Sequence, residues 1–338
     1  MEKRRKAKKR FSALTSFLLA LALLTGTLGA LPAECFAAQP EKAAFHSTYG
    51  FRLGSSAKME LQFRDKLEKN YKVNGNTYYG SQTDLSRQLR DQMVKRSDQV
   101  VLRLATDRRG LTGRSNSATQ AREELFLGLL NDATAQRNSV SARDGDYLRW
   151  QLGTVSGVLY ADGSKNGVYY YRVIYYGLGY YTTAAEEQWV DRYVQKYVRR
   201  VDRNKMSDYD LAKKVHDDVC RATVYDMEMD SRYDYRLCRE LGLSVRFVYS
   251  DPHEGCHAWN LVQVGGKYYY VDCTWDDTYH EGNIVYNFFL KNYTDLQAMD
   301  SDYHEHRLDD GVYADADLTR NYVDRVAARS YEPLLLNM

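Results

Sequence analysis

Two adjacent glycines, Gly265-Gly266, separate two runs rich in strand-forming residues, and this pair constrains the chain more than any other feature of it. Both can take the positive φ that a two-residue hairpin turn demands. The flanking runs, within "HAWNLVQVGGKYYYVDCTWDD" (residues 257–277), read as two antiparallel strands. With an even-length turn centred on the glycines, Trp259 faces Asp272 and His257 faces Thr274. Side chains alternate between faces, so His257, Trp259, Tyr270 and Asp272 share one face. His257 and Asp272 become diagonal neighbours within side-chain reach. A carboxylate beside an imidazole fixes its tautomer and stabilises its cationic form, which is what a general base in acyl transfer requires.

The chain opens differently. Residues 1–10 read MEKRRKAKKR and lead into an uncharged run from Phe11 to Ala33, followed by the small-residue site in "CFAA". A basic start, an apolar stretch and a small-residue site make a secretory signal, with cleavage expected after Ala37. Glu34 precedes Cys35, so the small-residue pattern in front of a lipidated cysteine is absent. The expected location is secreted or cell-surface, with a membrane partner only if the run stays uncleaved as an anchor. Seven of the 47 basic residues and two of the 45 acidic ones lie in residues 1–37, leaving 40 against 43, a net of −3. A nearly neutral exported chain has no electrostatic footprint for nucleic acid, and that class is set aside.

Between leader and hairpin the pattern changes from helices and strands in alternation to helices alone. Leu85, Leu89 and Met93 predict an amphipathic helix over 83–96, and "QVVLRLA" (99–105) a short strand. "DRRGLTGRSNSA" (107–118) reads as a loop, and 121–130 as a second helix. Strands are expected over 155–160 and 168–176, the latter in a Tyr-rich stretch of a chain with 30 Tyr, read as a hairpin surface. Residues 38–55 read as an extended lead-in. Thr183 with Glu186, and Ser207 with Asp210, open two further helices; Trp189, Tyr193, Tyr197 and Val201 form the apolar stripe of the first.

At the hairpin the sequence resembles the transglutaminase-like superfamily, the papain-related fold with a Cys-His-Asp triad. "HAWN…VDCTWDD" carries the resemblance, together with "YYTTAAEEQWVDRYVQKYV", "AKKVHDDVCRATVYD", "YRLCRELGLSVRFV" and "YNFFLKN", over roughly residues 180–305. It implies an α+β fold with helices packed on an antiparallel sheet. The expected organisation is a signal peptide (1–37), an α+β region (38–180), the transglutaminase-like domain (181–305) and a C-terminal extension (306–338). By resemblance His257 is the base and Asp272 its orienting carboxylate, with Trp259 the expected substrate contact.

The nucleophile does not follow. The family places its cysteine in a Gly-Val-Cys-type segment opening the helix that here continues as "YRLCRELGL"; after Tyr225-Asp226 only "MEMDSR" precedes Tyr233, without Cys or Gly. The expectation is that residues 227–232 form a short connection and that the helix starts, truncated, near Tyr233. Cys220, Cys238, Cys256 and Cys273 remain as thiols of the mature chain. Cys256 and Cys273 point away from the face of the pair, Cys238 reads as an apolar-side residue within its helix, and nothing in the spacing of Cys220 brings it to His257. All are expected to be packed and reduced. His280-Glu281 and His304-Glu305-His306 offer ligands but lack HExxH or paired-Cys spacing, so no metal and no cofactor is expected. Three outcomes follow from the resemblance: a binding or scaffold domain with an incomplete triad, inactive in thiol chemistry; a cysteine-dependent peptidase or acyltransferase using another thiol; or a chain whose gene has suffered a deletion that compromises the fold. A protein or a cell-wall peptide is the expected partner in the first two.

Overall fold

A computed structural model describes residues 42–48, 67, 69–136, 141–222, 227–249, 257–277, 284–300, 306 and 327–331. The leader and Cys256 lie outside the described residues. The described residues all belong to one compact unit. Its class is mixed α+β, with two sheets.

The first sheet has six strands in the order β1-β5-β6-β4-β3-β2, with β1 Lys42–Thr48, β2 Asn70–Val73, β3 Asn76–Tyr79, β4 Gln99–Thr106, β5 Leu152–Lys165 and β6 Val168–Tyr180. The extended lead-in is the edge strand β1, antiparallel to β5. The strands β5 and β6 are longer than the sequence pattern suggests. Most of the turn-rich segment stays in the ladder, and only Asn166 and Gly167, both at positive φ, make the turn. The Tyr-rich strand β6 is interior, between β5 and β4. Tyr175 is fully buried, and its hydroxyl donates to the Phe126 carbonyl at 2.8 Å. A buried ring is tolerated there because its polar tip has a partner.

Two helices cover this sheet, α1 Gln82–Val94 and α2 Asn116–Ala133. Leu85, Leu89 and Met93 face the core, as their four-residue spacing predicts. Helix α2 begins inside the segment read as a loop. Ser115 is its N-cap and accepts from the Ala118 N–H at 3.2 Å, so a residue that signals a loop here signals a helix start. At Gly157 a Cβ would meet the Phe126 ring at 2.3 Å, so only glycine lets β5 lie under α2.

The short helix α3 Asp146–Trp150 leads to a second core. Asp146 accepts a bidentate pair from Arg246 at 2.5 and 3.0 Å and the Phe247 N–H at 3.1 Å, which ties α3 to strand β7 Val245–Tyr249. Helix α4 Ala184–Val198 has the capping box of Thr183 and Glu186. Its expected stripe is corrected at Trp189 alone, which is 53% exposed; Tyr193, Tyr197 and Val201 pack half-buried against the second core, and Glu187 and Val194 are buried. Glu187 accepts from Arg96 at 2.8 Å and from the Tyr147 hydroxyl at 3.0 Å, and burying this carboxylate turns the helix away from Trp189. Helix α5 Asp208–Ala222 follows, opened by the Ser207 hydroxyl accepting from the Asp210 N–H.

Helix α6 runs Met227–Glu240, which corrects the expected short connection over 227–232. Met and Glu are good helix formers and the segment has no Gly or Pro, so the helix extends a turn and a half before Tyr233. The second sheet is antiparallel in the order β7-β8-β9, with β8 Ala258–Val264 and β9 Lys267–Val271. The one-turn helix α7 Cys273–Asp276 and α8 Tyr293–Met299 complete the second core. Among the described residues no helix is long and apolar enough to cross a membrane.

Candidate functional site

The pairing of β8 with β9 joins Asn260 to Val271 and Val264 to Lys267, the register that turn parity requires. Gly265 and Gly266 have φ of 57° and 81°, the region a type I′ turn needs. His257 sits just before β8, and Asp272 just after β9 is the N-cap of α7. The diagonal approach is realised: His257 Nε2 lies 2.5 Å from Asp272 Oδ2.

A second imidazole shares that oxygen. His306 Nε2 lies 2.8 Å from Asp272 Oδ2, while Asp272 Oδ1 accepts from the Thr274 and Trp275 N–H groups at 2.9 and 3.2 Å. The His306 N–H donates to Asp300 Oδ2 at 2.7 Å, and its Nδ1 lies 3.2 Å from the same oxygen. His257, Asp272 and His306 are all buried. Burial alone would raise the Asp272 carboxyl, but the adjacent His257 and then His306 outweigh it and hold it well below the usual carboxylate range. Burial would likewise depress His306; hydrogen bonds to Asp272 and Asp300 overcome it and raise the imidazole to about 9. At neutral pH, His306 and Asp272 are an ion pair.

Aromatic rings close around this group. Trp259 is fully buried; it stacks on His257 with centroids 5.7 Å apart and meets His306 edge-on at 5.0 Å. Phe288 stacks on His306 at 5.1 Å, and Trp275 meets it edge-on at 4.9 Å.

The described thiols occupy the neighbouring space. Cys238 is fully buried, 3.6 Å from Asp234 Oδ1; burial, then that carboxylate, push its thiol well above the ordinary range. Burial also raises Asp234 to about 6. Cys220 lies beside another histidine: its Sγ is 3.8 Å from His216 Nε2 and its thiol donates to the Cys273 carbonyl at 3.3 Å. His216 Nε2 is 3.0 Å from Asp276 Oδ2, and its Nδ1 is 3.3 Å from Asp217 Oδ1. The Cys273 side chain, then His216, lower the Cys220 thiol against the opposing effect of burial. His216 and His306 both escaped the sequence reading as members of a cluster. The signal for His216 was present, because a histidine four residues before a cysteine shares its helix face. His306 has no comparable signal, since 33 residues separate it from Asp272 and no periodicity connects them.

Searches of protein-family models and of curated proteins returned no match to this chain.

Proposed function

We propose that this chain is an exported transglutaminase-like domain protein that keeps the His257–Asp272 pair as a buried structural element and acts as a binding or scaffold domain. The observation that carries the reading is the sharing of Asp272. A triad carboxylate serves one imidazole, which in turn serves a nucleophile. Here Asp272 accepts from two imidazoles and two backbone N–H groups within a closed aromatic shell. The missing Gly-Val-Cys segment supports the same reading, and so do the positions of Cys220 and Cys238 beside His216 and Asp234. The partner class proposed is a protein or a cell-wall peptide outside the cell.

One observation favours a second reading, in which the chain is a cysteine-dependent peptidase or acyltransferase. Cys220 has an imidazole 3.8 Å from its sulfur and a thiol below the ordinary range, two marks of an activated nucleophile. Against it, Cys220 is only 5% exposed and His216 Nε2 also meets Asp276. Alkylation by iodoacetamide near neutral pH, followed by peptide mapping, separates the readings. The expected result is uniformly slow labelling, unchanged by His257→Ala or His216→Ala. One cysteine that labels rapidly in the native chain, and slows when either histidine is removed, would overturn the scaffold reading and name the nucleophile.

A further inference from the structure

We propose that His216, Cys220, Cys273 and Asp276 form a closed site for one divalent cation of the zinc class. The residues come as two pairs on two helices. His216 and Cys220 stand one turn apart on α5, and Cys273 and Asp276 belong to the single turn of α7. The ligand atoms of His216, Cys220 and Cys273 all lie within 4.8 Å of one another, and Asp276 Oδ2 adds a fourth donor 3.0 Å from His216 Nε2.

The two separations from His216 Nε2 suit a tetrahedral ion. Bond lengths of about 2.3 Å to sulfur and about 2.0 Å to nitrogen or oxygen give edges of roughly 3.5 Å for N···S and roughly 3.3 Å for N···O. The observed N···S and N···O separations are 3.8 and 3.0 Å. Two of the donors, His216 and Asp276, are also oriented. Asp217 Oδ1 lies on His216 Nδ1 at 3.3 Å, the outer carboxylate that orients the ring with Nε2 inward, and Lys213 holds Asp217 at 2.7 Å. Asp276 Oδ1 accepts from the Phe288 N–H at 2.9 Å, leaving Oδ2 for the cation. With Nδ1 turned to Asp217, the atoms meeting at the centre are Nε2, a carboxylate oxygen and two sulfurs. Burial would lower the His216 imidazole, but hydrogen bonds to Asp217 and Asp276 raise it well above its ordinary range, so Nε2 carries a proton that the cation would replace.

All four side chains are buried, and Phe289 and Tyr286 pack on the His216 ring at 4.7 and 5.5 Å. Four protein donors and no open position make the site structural, joining α5 to α7. Binding forms bonds from the metal to both sulfurs, to His216 Nε2 and to Asp276 Oδ2, and releases the two thiol protons of Cys220 and Cys273 and the Nε2 proton of His216 to solvent. The inference stands independently of whether the chain is an enzyme.

Cobalt(II) titration of the reduced, metal-free full-length chain tests it. The expected result is one equivalent bound, with the visible bands of tetrahedral cobalt and thiolate-to-cobalt charge transfer, displaced by one equivalent of zinc. Cys220→Ser and Cys273→Ser should each lose part of the charge-transfer band, while Cys238→Ser keeps all of it. Asp217→Asn, at the partly exposed edge, should weaken binding roughly tenfold with the tetrahedral bands retained. Where a buried cysteine variant does not fold, alkylation mapping of the native chain with and without cobalt replaces it, with protection expected at Cys220 and Cys273 alone. Absence of the bands in folded, reduced protein would overturn the site. So would bands indifferent to Cys220→Ser, protection confined to Cys35 or Cys256, or a native Cys220–Cys273 disulfide whose reduction creates no cobalt binding.

Discussion

Two buried histidine clusters sit at the two ends of the same one-turn helix, and they are satisfied in opposite ways. Around Asp272 an anion is surrounded by donors: His257, His306 and the Thr274 and Trp275 N–H groups. Around His216 Nε2 the surplus is of acceptors, Asp276 Oδ2 and the Cys220 sulfur, with Cys273 beside them. A buried carboxylate with its lone pairs filled is complete in itself and holds the hairpin to helix α7. A buried imidazole among acceptors holds its protons instead, and a metal ion entering there would have to displace the one on Nε2. The contrast explains why the pair that looks catalytic is read here as structural, while the unforeseen cluster carries the chemistry still open to test.

The contrast breaks first at Asp272. Replacing it by alanine leaves two imidazoles and two backbone donors without their shared acceptor in a region from which water is excluded. The expected loss is about 3–5 kcal/mol of unfolding free energy, read by urea denaturation. A loss below about 1 kcal/mol, the range of an exposed pair, would mean that the cluster is far wetter than its burial implies.

The second effect is a pH dependence centred on His306. The groups facing it are Asp272, Asp300 and the imidazole of His257, with Trp259, Trp275 and Phe288 as walls. Its folded value of about 9 lies above the unfolded value of about 6.5. Its contribution is therefore fully present below about pH 6.5 and is lost as pH rises through about 9. The expected decline from His306 is up to about 3 kcal/mol across that window, and His306→Gln should remove that share, leaving the same-signed contribution of His216, whose imidazole is also raised. A wild-type stability that stays level from pH 6.5 to 9 would remove the ion pair from the account.

How far the sequence reaches depends on whether a signal is local. The hairpin register, the His257–Asp272 contact, the Thr183 and Ser207 caps and the Leu85–Leu89–Met93 face were all legible, because each rests on spacing within a dozen or so residues. Trp189 was misplaced because the stripe treats every large apolar residue as buried. The buried Glu187 is held by Arg96, 91 residues away in sequence. The start of α6 was misjudged because absence of a family segment was read as absence of a helix, although "MEMDSR" has helical propensity of its own. His306 reaches Asp272 from a distant stretch that no periodicity links to it, and only folding shows the connection.

The smallest effect sharpens the comparison through the turn. Gly265 and Gly266 hold φ of 57° and 81°, and a Cβ at either would meet nothing within 4 Å. Any cost of substitution is therefore conformational rather than steric. Gly266→Ala should lower stability by about 1 kcal/mol, while Gly265→Asn should cost only a few tenths, since asparagine enters the left-handed region readily. The strain lies between β8 and β9, which carry His257 and Asp272, whereas His216 and Cys220 share one helix face that does not pass through the turn. In Gly266→Ala the pH-dependent contribution of His306 should weaken along with global stability, and the reactivity of Cys220 toward iodoacetamide should stay where it is in the parent chain. Equal perturbation of both would show that α7 transmits strain from one cluster to the other, and that the two are a single cooperative unit.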